Sequence, residues 1–143
     1  MFEFPYSPVR RAALILLAVG FVAIGVAHFT HAEFFVAIMP PYLPAHVALV
    51  YVSGIAEIAG GLGVLFAPTR AWARVGLIAL LFAVYPANIH MALNPEPFIA
   101  QGLSRAALYA RLPIQFVFMA WVWWAARPGR NQQSVEKQAR KRK

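Results

Sequence analysis

The chain has 143 residues, 61% of them hydrophobic, with a formal net charge of +8 and no cysteine. The missing thiols exclude disulfide exchange by the chain's own residues and thiolate metal sites. Its basic residues gather at the ends of apolar runs rather than on a folded face, a pattern that argues against nucleic acid as a partner and for signals that orient a membrane protein.

Four apolar runs, approximately residues 12–29, 45–67, 71–92 and 105–126, are each long enough to cross a hydrocarbon core of about 30 Å at about 1.5 Å per helical residue. The connections are short enough to force neighbouring helices antiparallel. The expected fold is therefore all-α, an integral-membrane four-helix antiparallel bundle over residues 12–127. A cytoplasmic segment, 1–11, precedes it, and a basic, disordered tail, 128–143, follows it. Barrel strands are excluded because the runs are too long and do not alternate. The first run is read as a retained span rather than a cleaved signal, because three more spans follow it. Arg10, Arg11, Arg70, Arg74, Arg127 and the tail cations flank one side of the bundle, whereas Arg105 flanks the other, so the positive-inside rule places both termini in the cytoplasm. Trp72, Trp121, Trp123 and Trp124 form an aromatic belt at that same interface.

After the first span, Phe34, Phe35, Ile38 and Met39 recur at helical spacing before Pro40-Pro41. They predict a short interfacial helix in the first outer loop, either a lid over the bundle mouth or simple packing. His28, His31, His46 and His90 fall at or just beyond the outer ends of spans. Imidazole suits haem iron, copper or zinc, but no motif here fixes a ligand geometry. Interfacial caps are the plainer reading, so no metal site is assigned and haem is disfavoured.

The second span carries Glu57 near its middle and no other charge. A carboxylate at that depth must be sheltered by other helices, which makes it a functional-site candidate. Ser53 and Gly61, four residues to either side, give its face small neighbours over which another helix can approach closely. The third span adds Tyr85 and Asn88 on one face, with His90 rotated away and Pro86 freeing a backbone carbonyl. The fourth adds Arg111 and Gln115, one turn apart and flanking Pro113. Counted from the outer end, Glu57 lies about 18 Å down its span and Arg111 and Gln115 about 9 and 15 Å down theirs, so a Glu57–Arg111 ion pair beside Gln115 is within reach. The plainer alternative is a buried polar clasp that fixes helix register.

The succession Gly25-Val-Ala-His28-Phe29, Met39-Pro-Pro-Tyr-Leu-Pro44, Ser53-Gly-Ile-Ala-Glu57, Tyr85-Pro-Ala-Asn88 and Arg111-Leu-Pro-Ile-Gln115 resembles the DoxX family of small four-span membrane proteins, over roughly residues 10–127. The resemblance implies a bundle in the bacterial inner membrane. It also implies that Glu57, Asn88, Arg111 and Gln115 are the family's intramembrane polar positions and His28 its outer-end histidine. Family members are associated with a thiosulfate:quinone oxidoreductase subunit, with oxidative-stress complexes and with assembly of other membrane proteins. The leading expectation is a redox-associated subunit that binds a quinone-like amphipathic molecule between its helices. Glu57 and Arg111 carry the chemistry in that reading, and Asn88, Gln115, His28 and Tyr85 contact the ligand. Without cysteine, electrons must come through a bound quinone, a cofactor or a redox-enzyme partner. The alternatives are a non-catalytic assembly or scaffold partner of another membrane protein and, more remotely, an isomerase acting on lipid rings. Lipids are partners in every case.

Overall fold

The computed structural model describes residues 7–127, so the polar tail expected at 128–143 lies outside the described residues. Six helices follow one another: α1 Pro8–Thr30, α2 Ala32–Ala37, α3 His46–Gly63, α4 Ala67–Leu93, α5 Glu96–Ala100 and α6 Arg105–Ala125. No strand occurs among the described residues. The four long helices α1, α3, α4 and α6 are each long and apolar enough to cross a membrane. They form an antiparallel ring in which α1 packs on α3, α3 on α4, α4 on α6 and α6 back on α1. The α1–α3 side is the most extensive and the α1–α6 side the thinnest.

Local chemistry sets the helix ends. Pro8 and Pro68 sit in the first turns of α1 and α4, where a missing N–H leaves no intrahelical bond unmade. Ser104 caps α6, its hydroxyl accepting from the Ala107 N–H at 3.1 Å. The short helix expected in the first loop is α2, which ends ahead of Pro40-Pro41. Two features differ from expectation. The second span stops at Gly63 although the apolar run continues to Ala67, because the first turn of α4 takes the carbonyls that would have continued it. Thr69 Oγ1 donates to Gly63 O at 2.8 Å, and the buried Arg70 donates to Val64 O at 2.7 Å and to Leu65 O at 3.0 Å. The five-residue α5 was not expected; it begins after Pro95 and buries Phe98.

The core has two apolar ends. At the end holding both termini, Leu14, Leu17, Phe21, Leu77, Met119 and Val122 pack together. At the far end Met91, Phe98 and Leu108 pack with Phe34 and Ile38 of the α2 region. His28, Glu57, Asn88 and Gln115 lie along the spans between these two clusters. Beside the termini, Arg10 donates through Nε to Ala125 O at 3.2 Å and through a terminal nitrogen to Arg127 O, tying α1 to the end of α6. The Arg74 guanidinium lies 4.3 Å over the Trp123 ring.

Candidate functional site

The crossing of α1 and α3 positions the buried acid. A Cβ added at Gly54 would lie 2.8 Å from His28 Cβ and 2.9 Å from Gly25 O, so the two backbones meet where neither helix carries a side chain. Helical side chains lean toward their own N-termini, and the two helices are antiparallel. His28 therefore leans toward the termini end, Glu57 leans toward the far end, and they meet: His28 Nδ1 lies 3.2 Å from Glu57 Oε2. The same Nδ1 lies 2.9 Å from Ile24 O, and a hydrogen on it is directed at that carbonyl. Glu57 Oε2 is thus buried next to the imidazole yet has no hydrogen-bond partner among the described residues. Phe35 of α2 stacks on a face of the ring, with centroids 3.8 Å apart.

This corrects the expected Glu57–Arg111 pair. Those two residues stand on α3 and α6, which sit diagonally in the ring with open space between them, and the Arg111 guanidinium makes only a long contact of 3.7 Å to Met91 Sδ. It has no carboxylate partner among the described residues. Asn88 and Gln115 do meet, across α4 and α6. Asn88 Nδ2 donates to Gln115 Oε1 at 3.0 Å, and Gln115 Nε2 donates to Leu81 O at 2.7 Å. Both amides are oriented by this chain of bonds, which uses a carbonyl one residue before the one that Pro86 frees. Gln115 spends its polar atoms inside the protein, whereas Asn88 Oδ1 keeps its capacity to accept.

Two cavities flank the cluster. One of about 410 Å³ lies between α3 and α4, roofed by Phe35 and Met39 at the far end. The other, about 590 Å³, lies between α1 and α6. Glu57, Val84, Asn88 and Arg111 line both, so the same polar groups face two spaces. His28 borders the first cavity and Gln115 the second. Tyr85 borders neither; it packs edge-on against Phe116 at 5.3 Å.

The remaining histidines have local contacts: His31 Nδ1 with Thr30 Oγ1 at 2.8 Å, His46 Nε2 with Pro40 O at 3.1 Å and His90 Nδ1 with Asn94 Nδ2 at 3.2 Å. Among the described residues no three His, Asp or Glu side chains gather as a metal site would require. Sequence reasoning did not pair His28 with Glu57. The signal was present, because Gly25-x-x-His28 and Gly54-x-x-Glu57 place a small residue and a polar one at the same spacing on adjacent antiparallel spans.

Residues 17–126 match the family described as "Domain of unknown function (DUF8561)". No curated protein and no solved structure matches the chain.

Proposed function

We propose that this chain, which belongs to the DUF8561 family, is a redox-associated membrane protein that binds the head of a quinone-like amphipathic molecule at the centre of its bundle. The observation that carries the reading is that Glu57, Asn88 and Arg111 face both cavities, whose linings are otherwise mostly apolar. Their chemistry is complementary. Arg111 has donors for a carbonyl oxygen, Asn88 Oδ1 accepts from a hydroxyl, and Glu57 takes or gives a proton where water is scarce. His28 stands beside the carboxyl, and Phe35 stacks on His28. The likeness to the DoxX family supports a redox setting and a place in the bacterial inner membrane. The charge distribution supports cytoplasmic termini. With no cysteine in the chain, the electrons pass to or from a separate redox partner.

Quinone binding to the purified protein, compared with Glu57→Gln and Arg111→Ala, tests this. Each substitution is expected to weaken quinone binding at least about tenfold, equivalent to about 1.4 kcal/mol. Binding unchanged in both variants removes the site.

A second reading, an assembly or scaffold partner, is favoured by the chain of bonds from Asn88 through Gln115 to Leu81 O, which resembles a clasp fixing helix register. A protein partner that copurifies with both the native chain and Glu57→Gln, with no small molecule detected by mass spectrometry, decides for it.

A further inference from the structure

The cavity between α1 and α6 differs from its neighbour in what surrounds it. The α3–α4 cavity is covered at the far end by α2, whose Phe35 packs on His28. The α1–α6 cavity has no such cover and lies along the thinnest side of the ring. Leu16, Ile24, Ile114 and Phe118 on its rim are all exposed. On helices that cross a membrane, exposure at this depth means contact with hydrocarbon. The cavity therefore opens sideways toward lipid. At its inner end it reaches Glu57, Asn88 and Arg111; from there it runs toward the termini end, past Leu17 and Phe21 to Trp121. Along α1 the stretch from Leu16 to Ile24 spans about 12 Å. Gly20 lies midway along it, and a Cβ built there meets nothing within 4 Å. The absent side chain thus leaves open a space that larger residues on both helices surround.

We propose that this cavity holds the hydrocarbon tail of the ligand whose polar head sits at Glu57 and Arg111, and that such ligands enter from the bilayer between α1 and α6. The proposal rests on the central cluster being a head-group site and adds the class of molecule it takes: a polar ring or head on a linear apolar chain, not a water-soluble analogue. Head and tail have separate walls. The head meets the charged and amide groups shared by both cavities, while the tail meets apolar side chains of α1 and α6 on either side of Gly20, with Leu81 of α4 at its back.

Gly20→Leu separates the two. The substitution fills the tail space without touching the polar cluster, and Gly20→Ala serves as the conservative control. In detergent-purified protein, binding of a decyl-substituted benzoquinone and of the same ring without its alkyl chain is followed by tryptophan quenching, since Trp121 lines the cavity. The native chain is expected to bind the decyl compound at least tenfold tighter than the tailless ring. Gly20→Leu is expected to abolish that advantage while binding the tailless ring normally, and Gly20→Ala to stay near native. An undiminished decyl advantage in Gly20→Leu, or equal binding of the two quinones by the native chain, overturns the proposal.

If neither quinone binds the native chain, the quinone-head reading fails by itself, and a second measurement still decides the tail cavity. A diazirine-bearing fatty acid should photolabel α1 and α6 near Gly20 and Phe118 in the native chain, and Gly20→Leu should lose that labelling. Equal labelling of the two overturns the cavity as a chain-binding site.

Discussion

The imidazole of His28 packs against Phe35 and beside the carboxyl of Glu57, with its own bond spent on the preceding turn of α1. Truncating it to alanine removes a stacking partner and leaves Glu57 beside an empty space, a loss expected at roughly 0.5–3 kcal/mol. Unfolding of His28→Ala in mixed micelles measures it. Combined with Glu57→Gln, the two changes should be non-additive by about 0.5–3 kcal/mol, whereas strict additivity in that double-mutant cycle would show that the groups do not sense each other. Glu57, Asn88, Arg111 and Gln115 were legible as candidates because a polar group within an apolar span needs a reason to be there. Their partners were less legible. Counting depth along each span treats four helices as parallel rulers and carries no information on which are neighbours and which diagonal. For that reason Arg111 looked like the partner of Glu57, when the adjacent α1 supplies His28. Tyr85 and Asn88 share a face by periodicity, yet a 60° difference in direction sends one to Phe116 and the other to the cavities.

At the level of helices, the α1–α3 crossing and the α3–α4 corner govern the site's shape. Gly54→Ala forces a Cβ against the His28 side chain and the Gly25 carbonyl, contacts that backbone cannot yield cheaply. Overpacking of this kind is expected to destabilise by about 1–3 kcal/mol. It should also weaken quinone binding by displacing His28. Gly76→Ala, where an added Cβ meets nothing within 4 Å, should change neither property. Arg70→Met takes away the donors that hold Val64 O and Leu65 O. Hydrogen bonds from a charged group are worth roughly 1.5–3 kcal/mol each, so a clear fall in thermal stability of the purified protein is expected. The four spans were readable to within a few residues because lipid demands length and apolarity together. The end of α3 was not, since Val64, Leu65 and Phe66 stay apolar where the helix stops. A five-residue element such as α5 is too short for periodicity to reveal it.

For the molecule as a whole, four helices long and apolar enough to cross a membrane put the two ends of the bundle's chain on one side, and the proposal that this side is cytoplasmic rests on the basic excess there. The chain's lack of cysteine makes this direct to check, because any introduced thiol is unique. Ser7→Cys should react with a membrane-impermeant maleimide only after cells are permeabilised, and Gln101→Cys, at the opposite end and exposed, should react in intact cells. The reverse pattern would invert the orientation. The bundle itself was legible from composition and span count, whereas the two cavities were not, since empty volume is set by how side chains from several helices fail to fill the space between them.

Three of the four sides of the ring are bridged by a stretch of polypeptide: α1 to α3 by way of α2, α3 directly to α4, and α4 to α6 by way of α5. The fourth, between the first long helix and the last, is crossed by no covalent connection; it is held by the apolar cluster at the termini end and by the Arg10 clasp on Ala125 and Arg127. Separation along that side stretches no loop and demands no hinge. It is the one seam where chain connectivity offers no resistance to opening, and there the Arg10 clasp adds polar bonds to the apolar packing that holds the ring closed.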